Sequence, residues 1–281
     1  MGKKEYTLLY GKKEVTFKID EKNVIGHLLP RKVSPPKDES SLIQDALKNP
    51  LETPLLPEIV SPKSKVVIIT SDITRPTPSY KMLPPLIQQL REAGVKQKNI
   101  SIVFALGLHR KHTPAEQKNL VGDNIYEEYR CVDHQKENCL DMGKTKSGIP
   151  IQIFREVAET DIKICLGNIE PHYFAGYTGG AKSIMPGVSS PESVTSTHKL
   201  MFLPGSVAGK IEGNPTREAI EEVGKKVGVD FIFNVVLNPQ KKVIAAVAGD
   251  KTLAHRKGCS FADECFKVPI RERADVAIVS T

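Results

Sequence analysis

Lys65–Thr70, KVVIIT, decides the fold. Its β-branched residues follow one another without a polar face, so a strand made of them must be covered on both sides, as in a parallel sheet. Four further runs share this texture: Ile100–Ala105 (ISIVFA), Asp161–Leu166 (DIKICL), Lys242–Val247 (KVIAAV) and Asp275–Ser280 (DVAIVS). Helical segments are expected between them. Pro84–Glu92 ends before Gly94, a suitable left-handed stop. Thr113-Pro114-Ala115-Glu116 forms a capping box with Pro at the first helical position, opening a helix to about Val121. Ser190-Pro191 opens a helix towards Met201, Asn214-Pro215 opens another that stops near Gly228, and Leu253–Phe266 reads as one more. Strands alternating with helices predict an α/β fold, a doubly wound, mostly parallel sheet with helices on both faces.

Outward from this centre, Tyr6–Tyr10 and Val15–Ile19 alternate around Gly11-Lys12-Lys13 and predict an N-terminal β-hairpin. A Pro-rich connector follows, holding a short helix near Ser41–Lys48. Natural domains rarely end on a buried strand. Residues 1–267 are therefore expected to form one α/β domain with its hairpin, and 268–281 a linker and the first strand of a truncated second α/β domain.

The chain has 281 residues, 40% hydrophobic and 26% charged, and aromatic residues make up only 6%. That supports a sizeable aliphatic core. No apolar run reaches the roughly 18–20 residues that span a bilayer, and no secretion core follows the basic N-terminus. A cytoplasmic protein without a membrane partner is the expectation. The five cysteines include no C-x-x-C pair, which argues against a disulfide framework and a Cys-rich zinc site. The net charge of +7 comes from scattered lysines rather than a basic stripe interleaved with aromatics. Nucleic acid is therefore not expected, and a small anionic ligand suits the charge.

Ligands of open parallel sheets bind beyond the carboxyl ends of the strands. KVVIIT is followed by Ser71-Asp72-Ile73-Thr74-Arg75-Pro76, ISIVFA by Leu106-Gly107-Leu108-His109-Arg110, and DIKICL by Gly167-Asn168-Ile169-Glu170-Pro171-His172-Tyr173. Three strand ends thus bring an acid, an Arg and two His to one rim. Two imidazoles facing one substrate can exchange protons near neutral pH. Arg75 offers a planar fork for a carboxylate, or a salt bridge to Asp72. His27, His112, His134 and His255 match no motif and are read as structural or exposed.

The stretch Phe174-Ala175-Gly176-Tyr177-Thr178-Gly179-Gly180-Ala181-Lys182-Ser183 invites a P-loop reading, but Ala181 stands where that motif requires its second Gly. A lysine among glycines beside an anion site can instead be a nucleophile if its amine loses its proton. His198, in Thr195-Ser196-Thr197-His198-Lys199, has no His, Cys or acid at i±3 or i±4. A metal there would draw most of its ligands from something other than protein.

SDITRP (71–76), GLHR (107–110), EPHYFAGYTGGAKSIMPGVSS (170–190) and THK (197–199) together resemble the nickel-dependent lactate racemase family, and the long third block is highly specific. The resemblance implies a racemase or epimerase of lactate or a related 2-hydroxy acid. It implies nickel held in a nickel-pincer nucleotide, pyridinium-3-thioamide-5-thiocarboxylic acid mononucleotide, attached covalently to Lys182. It also implies His198 as the protein ligand to nickel, Asp72, Ile73, Thr74 and Arg75 as a cradle for cofactor and substrate, and His109 and His172 as paired acid/bases. The chemistry implied is reversible hydride transfer from the substrate Cα to the cofactor pyridinium. The partners implied are a small anionic 2-hydroxy acid and the maturation proteins that build the cofactor. The competing expectations are a P-loop-like nucleotide-binding or phosphotransfer protein and a non-catalytic cofactor-binding module. Neither the oligomeric state nor the particular substrate is specified by these residues.

Overall fold

A computed structural model of the chain describes residues 2–270 and 272–280. They fall into two compact units. Residues up to Arg31 group with those from Lys267 onward, and Lys32–Phe266 forms the other. The N-terminal hairpin lies in the smaller unit.

In the smaller unit β1 (Lys3–Tyr10) and β2 (Lys13–Asp20) pair antiparallel with Tyr10 opposite Lys13. Gly11-Lys12 is the turn, and Gly11 takes the positive φ of 61° that such tight turns demand. Asp275–Ser280 does not form the strand expected of it. A β-branched run becomes a strand only with a ladder partner, and none of the described residues forms a ladder with it.

The larger unit opens with α1 (Glu39–Lys48) and α2 (Leu56–Ile59). It continues through β3 (Val66–Ser71), α3 (Ser79–Glu92), β4 (Ile100–Ala105), α4 (Pro114–Val121), α5 (Asp123–Glu128) and β5 (Arg130–Asp133). A hairpin of β6 (Cys139–Lys144) and β7 (Pro150–Phe154) leads through α6 (Arg155–Ala158) to β8 (Ile162–Asn168). Next come the short pair β9 (Pro171–His172) and β10 (Gly176–Tyr177), then α7 (Pro191–His198), α8 (Pro215–Val227), β11 (Phe231–Leu237), β12 (Val243–Gly249) and α9 (Leu253–Phe266).

The central sheet has the order β12-β11-β8-β3-β4-β5. Every neighbouring pair is parallel except β11 with β12. Lys242–Val247, read as one more parallel strand, is therefore the antiparallel edge. Successive residues of β3 serve opposite faces. Val67 and Ile69 pack with Ile220 and Val223 of α8 and Ala262 of α9, while Val66 and Ile68 pack with Met82 and Leu86 of α3 and Leu47 of α1. Two apolar layers thus sandwich the sheet, which accounts for the unbroken apolar texture of KVVIIT.

Two helix boundaries carry physical information. α3 starts five residues before Pro84 and runs through Pro84 and Pro85. Pro84 lacks the N–H that would pair the Tyr80 carbonyl, and Tyr80 is itself exposed, so water can serve that acceptor. The Thr113 capping box forms in full: Thr113 Oγ1 accepts from the Glu116 amide, and the Glu116 carboxylate accepts from the Thr113 amide. The five cysteines are free thiols, and among the described residues no helix is long and apolar enough to cross a membrane.

Candidate active site

The sheet order dictates where a ligand can sit. From β3 the chain moves outward to β4 and β5, then returns to lay β8 on the other side of β3. The connections leaving β3 and β8 diverge above their carboxyl ends, and the crevice between them is the usual ligand position in a doubly wound sheet. A cleft of about 250 Å³ lies there. Asp72, Thr74, Arg75, His109, His172, Lys182 and His198 all line it, so seven of the eight residues singled out from sequence surround one space. Ile73 does not: its side chain is exposed, and its backbone amide donates to His112 Nε2.

The loop after β3 is organised by a buried carboxylate. Asp72 Oδ1 accepts from the Thr74 amide and hydroxyl, and Asp72 Oδ2 lies 2.5 Å from His109 Nδ1. A carboxylate can only accept, so Nδ1 carries the proton and the His109 Nε2 lone pair is left for a ligand. The His109 ring is half exposed while Asp72 is buried beneath it. Arg75 pairs with Glu170, at 3.4 Å, rather than with Asp72. Glu170 lies 95 residues from Arg75 in sequence and meets it only across the β3–β8 crevice, so no local motif marks the pair.

His172 is set differently. It is buried, stacked on Tyr173 and edge-on to Phe174, and its Nδ1 accepts the Ala175 amide at 3.3 Å. Nε2 therefore carries the proton in the neutral ring. Burial, reinforced by the positive charges of Lys182 and Arg75, pushes this imidazole down to about 2.

Lys182 sits in a 3-10 turn, Gly180–Ser183, directly after the glycine run. The run follows the two-residue strand β10 and leads into this turn rather than the long helix that a phosphate-cradling P-loop needs, so the nucleotide-binding alternative fails on geometry as well as on Ala181. Burial first, then the charges of Arg75 and Arg217, push the Lys182 ammonium down to about 7. The loop is pinned from below. Arg217, buried in α8, donates to the carbonyls of Ala175 and Tyr177, Asn234 of β11 accepts the Gly180 amide at 2.8 Å, and His255 Nε2 meets the Thr178 carbonyl at 2.9 Å. These three supports come from α8, β11 and α9, and only a polar residue inside an otherwise apolar run (FIFNVVL) hinted at one of them.

The pinning has a measurable consequence at Gly176. Its φ is +74°, and an added Cβ would stand 2.0 Å from the Lys210 carbonyl oxygen. Gly143 has a similar φ of +89° but open space around it. Gly176→Ala is expected to destabilise the fold by about 2–4 kcal/mol, and Gly143→Ala by about 1 kcal/mol, in chemical denaturation. Equal midpoints for the two variants would show that the loop is not held against Lys210.

His198 ends α7, and its Nδ1 lies 2.7 Å from the Val194 carbonyl oxygen. The carbonyl accepts, so Nδ1–H donates and Nε2 keeps a lone pair. No three of His, Cys, Asp or Glu among the described residues are grouped so as to hold a metal ion on their own.

Comparison with known proteins agrees with this architecture. Over 279 residues the chain is 36% identical to the lactate racemase of Thermoanaerobacterium thermosaccharolyticum, covering 96% of this chain and 65% of that one. It is 34% identical to the lactate racemase of Lactiplantibacillus plantarum over 278 residues, again covering 96% and 65%. The solved lactate racemase apoprotein of T. thermosaccharolyticum superposes with a TM-score of 0.85 at 33% identity, covering 93% of this chain and 63% of that one. A Thermotoga maritima protein at 22% identity and a TM-score of 0.68, covering 84% and 61%, shares the fold. The chain thus spans about two thirds of the length of these relatives. Residues 10–209 match the family described as the lactate racemase N-terminal domain, and the chain belongs to that family.

Proposed function

We propose that this chain is the cofactor-carrying part of a racemase acting on lactate or a related 2-hydroxy acid, with a nickel-pincer nucleotide tethered to Lys182. The observation that carries this reading is the gathering of Arg75, His109, His172, Lys182 and His198 around one cleft at the switch point of the sheet. Residues 268–281 are proposed to lead into a further domain that completes the substrate pocket.

The donor set suits such a group. A backbone carbonyl takes the Nδ1 proton of His198, the arrangement that fixes the tautomer of a metal-ligating imidazole and frees Nε2 to bind. One imidazole without a cluster of companions matches a metal whose other ligands arrive with a bound group. Lys182, with its ammonium pushed down to about 7, presents a neutral amine near physiological pH, as a covalent tether requires. When bound, the group supplies a hydride acceptor for the substrate Cα–H.

The chain's own residues supply the rest. Arg75 has guanidinium donors beyond the one given to Glu170, and these fit the substrate carboxylate. His109 Nε2 takes the hydroxyl proton, and Asp72 behind it steadies the imidazolium that forms. His172 serves the other enantiomer, whose hydroxyl is presented differently; to accept that proton it must first exchange the tautomer that the Ala175 amide selects. The buried ring of Phe174 beside the cleft keeps water from the reacting atoms. The reaction is placed in the cytosol, with a small anionic 2-hydroxy acid as substrate and maturation proteins as loading partners.

The test is production of the full-length protein together with such maturation proteins, followed by intact mass, metal analysis and polarimetry on single lactate enantiomers. A nickel-bearing adduct at Lys182 with conversion of either enantiomer to the racemate is expected. An adduct without conversion of any 2-hydroxy acid would leave a non-catalytic carrier as the correct description.

A further inference from the structure

His112, which matches none of the motifs around the cleft, sits at the centre of a second Asp–His pair directly behind the first. Its side chain is almost wholly buried, with its ring edge-on to Phe104 of β4 at 5.2 Å. Asp133, the last residue of β5, accepts twice from it: from the His112 amide at 2.7 Å and from Nδ1 at 2.6 Å. A carboxylate accepting at Nδ1 fixes the proton there, so Nε2 is the acceptor. That acceptor receives the Ile73 amide at 3.2 Å. Ile73 follows Asp72, whose carboxylate holds His109 Nδ1, and His109 lies three residues before His112 on the same loop.

The two pairs therefore close a circuit across three strand ends. Asp133 of β5 orients His112 on the loop after β4, His112 anchors the turn after β3, and that turn carries the carboxylate that orients His109. A backbone amide needs an acceptor, and for Ile73 a tautomer-selected imidazole, itself buried, provides it. We infer that His112, set by Asp133, is a positioning residue that fixes the Asp72 turn and so aims His109 Nε2 into the cleft. The inference rests on the role proposed above for His109 only where turnover is the readout.

Two substitutions of similar polarity separate positioning from mere packing. In His112→Asn the side-chain amide can still meet Asp133 but stops short of the Ile73 amide. In His112→Gln the carbonyl oxygen reaches the place of Nε2 and can accept from Ile73. Nitrogen-15 NMR of the His109 imidazole in the full-length apoprotein is the first measurement. In His112→Asn the His109 ring should lose the protonated-Nδ1 tautomer expected of the unsubstituted protein, and in His112→Gln it should keep it. In the cofactor-loaded enzyme His112→Asn should lower kcat about ten- to hundredfold with little change in KM, and His112→Gln should recover most of that loss. If His109 titrates and tautomerises alike in both variants and the unsubstituted protein, the proposal is overturned. Should the unsubstituted full-length enzyme not racemise any 2-hydroxy acid, the functional reading fails, and the His109 spectra still decide the role of His112.

Discussion

At pH 7.5 Lys182 is expected to be acylated by a small amine-selective reagent faster than any other lysine of the chain, by about two orders of magnitude. Its ammonium is pushed down to about 7, whereas an ordinary lysine near 10.4 is neutral only about once in a thousand molecules at this pH. A less basic amine is also a weaker nucleophile, which takes back part of the advantage without cancelling it. The sign of the pH dependence follows. Only the neutral amine reacts, so the rate at Lys182 should fall about tenfold per unit below pH 6 and level off above pH 8, whereas surface lysines go on accelerating towards pH 10. Peptide mapping of the acylated protein across this range is the measurement. A Lys182 rate that still climbs between pH 8 and 10 would mean that burial and Arg75 do not hold the amine neutral.

The same property predicts the fate of the tether. Lys182→Ala should abolish covalent attachment in the loaded full-length protein. His198→Ala should keep the organic adduct and lose the metal, because the role proposed for the imidazole is that of a ligand with no bond to the nucleotide. Intact mass and metal analysis of the two variants distinguish these losses.

The parts of the fold legible in the sequence are those whose physics is local. KVVIIT, ISIVFA and DIKICL announce themselves because a strand covered on both faces has no polar position to spare, and the Thr113 box and Gly228 stop are written in adjacent residues. The strand Phe231–Leu237 escaped the same reading although it is buried throughout. Asn234 interrupts its apolar run, and that Asn is there to accept the Gly180 amide of the lysine loop. β6 and β7 were unreadable for a different reason: their residues are partly polar because the hairpin packs on one side only.

The site divides along the same line. Asp72, Thr74, Arg75, His109 and His172 follow strand ends, so the ordering rule for parallel sheets finds them, whereas Lys182 and His198 sit on a turn and a helix end and were legible only through their motifs. Residues that hold the lining in place, Glu170 against Arg75, Arg217 beneath Ala175 and Tyr177, and Asp133 behind His112, are joined by contacts 21 to 95 residues apart. No periodicity or motif encodes those distances. Ile73 shows the converse. It belongs to a cleft-forming segment, yet only its backbone takes part, and a residue name carries no information about that.

His109→Ala and His172→Ala are expected to retain the Lys182 adduct and its metal while losing racemisation about 10²- to 10⁴-fold. The two variants should not behave alike. His109 keeps a free Nε2 over a buried carboxylate, so its partner matters as much as the ring itself. Asp72→Asn leaves a side chain of the same shape, but its amide NH2 can donate to Nδ1 and select the opposite tautomer. It should therefore cost nearly as much as His109→Ala. Among the described residues no carboxylate pairs with His172. Burial holds it neutral, and the charge of Lys182 is the strongest of the positive neighbours that push it lower. Acylation of Lys182 removes that charge, so the imidazole of His172 should titrate at higher pH once the tether has formed. Lys182→Gln mimics the neutral tether without a cofactor, and an NMR titration of His172 in this variant should move upward relative to the apoprotein. An unmoved His172, or racemisation that survives in either histidine variant, would show that proton transfer in this cleft does not depend on the pair.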